Sequence, residues 1–188
     1  MAFKAPELKS TPFGRGGGMG PKTMSLKTEG KPPPPKGPPG VRIENRIGVQ
    51  APAEVIWSAI YDLAAWAEWN PVYTKATGDI RIGQPLDLTL ALPGQAPQAL
   101  RPTVLEWVPN EQLHWRTSMS GGLVKSIHFL EIEPLSETGC IVSNGELISG
   151  FLARGYLRRN GRALNRAFIQ MNEALKARAE ALWAARTA

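Results

Sequence analysis

The chain has 188 residues, 43% hydrophobic and 20% charged, with 17 prolines, 19 glycines, six tryptophans and a net charge of +6, enough for one cored domain plus a tail. A single cysteine, Cys140, excludes an internal disulfide framework and a cysteine-rich zinc site. No stretch reaches the roughly 18 apolar residues of a membrane span, and MAFKAPELKS lacks the apolar run of a secretory signal, so a soluble, cytoplasmic protein is expected.

Residues 1–40 hold 9 of the prolines and 8 of the glycines, with seven basic residues against two acidic ones. Such a segment buries too little apolar surface to offset the entropy of ordering it, so a disordered, basic Pro/Gly-rich tail is predicted. Pro32 to Pro35 favour extended polyproline II, which offers a docking strand to a protein partner. Met19 and Met24 are alternative starts for translation. The rest of the charge divides in two. Residues 41–150 carry 7 basic and 12 acidic groups, residues 151–188 carry 8 and 2. The folded part is therefore almost neutral, no nucleic-acid partner is expected, and a basic closing segment is expected to lie on an acidic sheet or face solvent.

The domain is placed at 41–188 and opens with alternation, Ile43, Asn45, Ile47 and Val49 on one face, which predicts a strand. Pro52 suits the first turn of a helix, since its missing donor would be unpaired there. Val55, Ile56, Ala59, Ile60 and Leu63 then recur at helical spacing, with an end expected near 64–66 because Asn70-Pro71 blocks continuation. After Pro71 the period becomes two. Strands are predicted at 72–80, 85–92, 98–108, 112–119, 125–133 and 140–148, with short turns that imply antiparallel neighbours. Leu164, Phe168, Met171, Leu175 and Leu182 form a helical stripe from Arg162 to about Ala184. Gly155 and Gly161 predict a kink or break between 150 and 161. Arg158, Arg162 and Arg166 recur every fourth residue and repel one another unless solvated, paired or bound to an anionic headgroup.

This order predicts an α+β fold, a curved antiparallel sheet of about seven strands wrapped around a long C-terminal helix. The segments VIWSAIYDLAAWAEWNP (55–71), VLEWVPNEQLHWR (104–116) and IHFLEIEPLSETGCIVSNGELISG (127–150), with the MNEALKARAE helix, resemble the START-like superfamily, also called SRPBCC. Its members include polyketide cyclase/dehydrase-type proteins and plant ligand binders of the birch-pollen-allergen type. The resemblance runs from about 43 to 183 and implies a helix-grip fold with a hydrophobic cavity between sheet and helix. It implies binding or carriage of a small hydrophobic molecule, aromatic or lipid-like. A cyclase/aromatase-like enzyme is a second implication, and a protein-interaction or chaperone-activating module a third. Residues 1–40 match nothing in the family.

Strand phase selects the candidate site. If Leu130 and Ile132 face inward, so does His128, where it can orient a carbonyl or move a proton; the opposite phase puts Phe129 inside. A buried Glu146 would have a raised pKa and serve as a general acid, although a solvent-facing strand glutamate is the simpler reading. His128 and Glu146 are thus the catalytic candidates. Asn45 stands in the apolar phase of the first strand, where its amide needs a partner or a ligand. Trp69 and Tyr73 flank the Asn70-Pro71 turn, and Trp115 and Leu88 belong to the expected cavity wall, as do Phe168 and Met171 on the helix stripe. Tyr61 and Tyr156 are further polar handles, and His114 is expected to be exposed. With two histidines and one cysteine no metal site is expected, and no phosphate loop or dinucleotide motif calls for a cofactor.

Overall fold

The structure is a computed structural model, and the residues it describes are 40–188. The tail expected at 1–40, its docking role and its alternative starts otherwise lie outside the described residues.

β1 (Val41–Val49) leads into α1 (Ala53–Tyr61), which begins as anticipated after Pro52, whose carbonyl accepts from the Val55 and Ile56 amides. The helix buries Val55, Ile56, Trp57, Ala59 and Ile60 and ends at Tyr61, earlier than the apolar spacing predicts. Asp62 leaves the helical region there, and its carboxylate accepts from the Ala65 amide at 3.3 Å, starting a separate 3-10 turn, Leu63–Ala65. A short α2 (Trp66–Trp69) follows. Asn70 closes it with its own side chain, Oδ1 accepting from the Val72 and Tyr73 amides at 3.0 Å each.

The strands that follow are β2 (Tyr73–Gly78), β3 (Leu86–Leu90), β4 (Gln98–Leu100), β5 (Thr103–Val108), β6 (Gln112–Met119), β7 (Val124–Ser136) and β8 (Gly139–Ser149). They form one sheet in the order β1-β8-β7-β6-β5 and a second in the order β2-β3-β4, with antiparallel pairing throughout. The described residues thus contain eight strands where about seven are predicted. The extra one comes from the segment 98–108, which divides at Pro102. Proline has no N–H for the ladder, so β4 pairs with β3 and β5 with β6. Leu86 donates to the Pro102 carbonyl and Val104 to that of Gln84, stitching the two sheets together along this seam.

α3 (Ala153–Thr187) is a single 35-residue helix, with no break at 150–161. A glycine in a helix costs up to about 1 kcal/mol against alanine, but Ala153, Tyr156 and Leu157 pack these first turns against the core and outweigh it. The stripe beyond them buries Leu164, Ala167, Phe168, Met171, Leu175 and Ala179 against the sheet. The result is the α+β helix-grip arrangement. No helix among the described residues is long and apolar enough to cross a membrane.

Of the two places expected for the basic helix, its arginines Arg154, Arg158, Arg159, Arg162 and Arg166 take solvent and not the acidic sheet. The acids of the outer sheet face pair with β1 instead: Arg42 with Glu44 at 2.8 Å and Glu131 at 4.0 Å, and Arg46 with Glu133 at 2.6 Å. On α3 only Lys176, with Glu180, and Arg178, with Glu68, make ion pairs among the described residues. The reason is geometric. The inner sheet face that receives the helix carries its apolar residues, so these acids lie on the opposite side.

Candidate active site

Antiparallel register places inward side chains in rows across the sheet. Trp115, His128 and Glu146 are direct partners on β6, β7 and β8. The row on one side is Thr117, Ser126 and Ile148, and on the other Leu113, Leu130 and Asn144. Five polar side chains therefore meet on a face otherwise apolar, and all are buried: Thr117, Ser126, His128, Asn144 and Glu146. Burying polar groups costs free energy unless partners are supplied.

His128 is fully enclosed by rings. Trp115 stacks on it at 4.2 Å between centroids and 14° between planes, Phe168 meets it edge-on at 5.1 Å, and Tyr73 at 5.7 Å. This burial lowers its pKa to about 3; the charge of His114 adds to the fall and the Asn144 side chain opposes it. The imidazole is therefore neutral at physiological pH. Tyr73, whose phenol burial holds protonated well above the ordinary range, lies with its oxygen 3.4 Å from Nδ1. Donation from that hydroxyl to Nδ1 puts the ring proton on Nε2, which has no protein partner.

Glu146 sits 4.0 Å from His128 Nδ1 through Oε1, the same oxygen that accepts from Ser126 Oγ at 3.3 Å. Its Oε2 is buried without a partner. Desolvation pushes the carboxyl up to about 7, against the Ser126 hydrogen bond, so Glu146 is a weak acid poised at neutrality. The solvent-facing reading of this residue is thereby overturned: β8 is flanked by β1 and β7, and its inner face is covered by α3. Its charge also raises the Tyr156 phenol, pushed up to about 12 chiefly by burial, which ties the first turn of α3 to the same polar group.

Tyr156 itself is only half-buried. It lines a cleft of about 340 Å³ with Val124, Leu152, Arg159 and Asn160. A second cleft, of about 350 Å³, lies beside it between β4 and β6 and shares both Tyr156 and Ser120. Each is large enough for a small organic molecule. At His128 itself Trp115, Phe168 and Tyr73 pack against the imidazole, and a further cleft of about 350 Å³ lies away from the cluster, at Tyr61, Leu63, Gly78 and Ile80.

The structure brings together His128, Glu146, Tyr73, Trp115, Phe168 and Met171, all buried. Leu88 is buried on β3 in the smaller sheet. Trp69 is half-buried, 6.1 Å from Trp66, with its indole Nε1 enclosed and unpartnered. Asn45 stands apart: its Nδ2 donates to Asn165 Oδ1 at 3.1 Å and its carbonyl accepts from Asn172, fastening β1 to α3. Tyr61 joins Trp57 and Trp107 in a separate ring cluster and is 48% exposed. His114 is not exposed as expected but half-buried on the outer face, 3.2 Å from Glu131 and edge-on to Phe129. Among the described residues no group of three or more His, Cys, Asp or Glu is placed to hold a metal.

A family model described as polyketide cyclase/dehydrase and lipid transport matches residues 40–180. The chain belongs to this family. Among solved structures, this family member is similar to the norcoclaurine synthase of Thalictrum flavum, determined with dopamine and hydroxybenzaldehyde, at 16% identity and a TM-score of 0.58 over 74% of this chain and 86% of that one. The Zhui aromatase/cyclase of Streptomyces sp. R1128 gives 16% and 0.58 over 74% and 93%, and protein CV1439 of Chromobacterium violaceum gives 23% and 0.57 over 74% and 98%. At these identities the likeness is one of fold. No curated protein matches the chain.

Three residues of the cluster escape a reading from sequence: Ser126, Thr117 and Asn144. The signal was present in the phase. Ser126 lies two positions before His128 and Asn144 two before Glu146, so each shares the inward face of its strand.

Proposed function

We propose that the protein admits a small, mostly apolar molecule at the Tyr156 clefts and orients it through the Glu146 carboxyl. That carboxyl lines neither cleft, so it is reached once side chains between them and Glu146 move aside. The observation that carries this reading is the buried Glu146 Oε2 without a protein partner, in surroundings that keep the group protonated up to about pH 7. A neutral carboxyl donates one hydrogen bond, so it suits a carbonyl or hydroxyl on an otherwise apolar ligand. Val124, Leu152, Leu100, Met119 and the Tyr156 ring supply affinity by desolvation among polar neighbours such as Ser120 and Asn160, and the carboxyl sets direction.

Native mass spectrometry of the protein purified from its own host tests this directly, with a stoichiometric apolar adduct as the expected result. For a small aromatic alcohol such as 2-naphthol, Glu146→Ala is expected to weaken binding about tenfold, the worth of one buried hydrogen bond. Unchanged affinity in that variant would remove Glu146 from the site.

One observation favours a catalytic reading beside it: a carboxyl poised near 7 lies 4.0 Å from a neutral imidazole. Such a pair can deliver and recover a proton during an aldol condensation or dehydration of a bound carbonyl compound, in the manner of a cyclase. Turnover that survives both His128→Ala and Glu146→Gln would exclude this chemistry.

A further inference from the structure

From Phe151 to Asn172 the chain carries five arginines, Arg154, Arg158, Arg159, Arg162 and Arg166, and no acidic residue. None of them makes an ion pair among the described residues. Arg154, Arg158, Arg162 and Arg166 recur every fourth position on α3, so they run as one slowly drifting stripe about 18 Å long. Like charges held at this spacing repel, and a fold that leaves them uncompensated favours an anionic partner.

At the head of that stripe three apolar side chains project into solvent: Phe151, 88% exposed, Leu123, 47%, and Leu152, 41%. They form one tip, because the Leu152 amide donates to the Leu123 carbonyl at 3.1 Å and so joins the β6–β7 turn to the start of α3. Leu152 also lines the cleft at Tyr156, which puts the tip on the rim of that opening. Lys125 extends the positive charge on the neighbouring strand and is exposed.

We infer that this end of the molecule docks on an anionic lipid surface, with Phe151, Leu123 and Leu152 entering the headgroup region and the α3 arginines facing acidic headgroups. The combination of a projecting apolar tip and an adjoining basic stripe is what interfacial binding requires, apolar burial plus attraction to negative lipid. A nucleic acid fits less well. It would use the arginines but would leave two aliphatic side chains in water, and one phenyl ring is a poor stacking platform. Docking in this orientation presents the Tyr156 cleft to the membrane, and it holds whatever the cleft contains.

The test is co-sedimentation of the full chain with phosphatidylcholine vesicles, with and without phosphatidylglycerol. Binding is expected only to the anionic vesicles and is expected to fall with added salt. Arg158→Gln combined with Arg162→Gln should lower the partition coefficient on the order of 30-fold, from about 1 kcal/mol per basic side chain near an anionic surface. Phe151→Asp should abolish measurable sedimentation. These side chains are exposed, so an unchanged melting temperature is expected of both variants and checks that they fold. Sedimentation that persists in both variants would overturn the inference and place any lipid contact elsewhere, the basic segment before residue 40 included. Binding of a duplex oligonucleotide that is lost in the same variants, without vesicle binding, would assign the stripe to nucleic acid instead.

Discussion

Replacing Gly145 with valine is expected to destabilise the fold by about 3 kcal/mol or more, at the upper end of the cost of overpacking a core. Gly145 lies in the middle of β8, opposite Phe129 on β7 and Glu44 on β1. A Cβ built there would stand 2.5 Å from Phe129 Cζ and 3.0 Å from Glu44 Cα, and it would also meet the Ile43 carbonyl. The backbone here is ordinary strand, so space decides the matter and not conformation. The phenyl ring of Phe129 occupies the room a side chain would take, and the Arg42 guanidinium covers it at 4.0 Å from the ring centroid. A side chain at 145 must push β1 away from β8 and displace that ring as well. For a domain of this size the melting temperature should fall by roughly 6–12 °C. Gly48→Ala is the control, since nothing lies within 4 Å of a Cβ at that position on the neighbouring strand. A cycle with Phe129→Ala separates the causes: Gly145→Ala should lose only part of its cost once the ring is gone, because the Ile43 carbonyl stands closer to the new Cβ than the ring does. A cost at 145 that disappears with the ring would refute this account.

The same pair shows where sequence reasoning reaches its limit. Alternation along β7 offers a choice between His128 and Phe129 as the buried residue, and the fold buries both, at 0% and 3% exposure. The inward phase was legible because Leu130 and Ile132 fix it. The cover over Phe129 was not, because it comes from a glycine 16 positions later and from an arginine on β1. Glu146 was hidden for a related reason. Residues 143–146 read Ser-Asn-Gly-Glu, with no apolar alternation, and only the position of β8 between two strands and beneath a helix encloses them. The closing helix was legible through its stripe, whereas its start was misplaced because propensity counts two glycines and cannot count the packing of Tyr156 and Leu157. Pro102 was in plain view, and its lost donor correctly marks the point where one predicted strand becomes two.

Glu146→Gln is expected to stabilise the protein by about 3 kcal/mol above pH 7, and to leave stability unchanged below about pH 4.5. The sign follows from proton counts. The folded carboxyl titrates near 7 and the unfolded one near 4.5, so between these values the folded state holds the extra proton and stability falls as pH rises. Above 7 both states are ionised and the full penalty of a buried charge is present. An amide of the same shape keeps a hydrogen-bond acceptor for Ser126 and carries no charge, so the penalty disappears. His128 acts in the opposite direction. Its folded value near 3 and unfolded value near 6.5 make the unfolded state the better proton binder, so stability rises with pH over that range. The two contributions oppose each other between about 4.5 and 6.5, where the pair should give a plateau, with an acid limb belonging to His128 and a decline into neutrality belonging to Glu146. Subtracting wild-type from variant unfolding free energies across pH, measured by chemical denaturation, cancels every group the two proteins share. The difference should grow between 4.5 and 7 and then level off. A difference independent of pH would mean that this carboxyl is solvated in the folded state, and the donor proposed for the ligand would be lost with it. A buried carboxyl of this kind on a face otherwise largely apolar costs stability, and that cost is the ground on which Glu146 is proposed as the orienting group. The pH series tests whether that cost is present before any ligand is known.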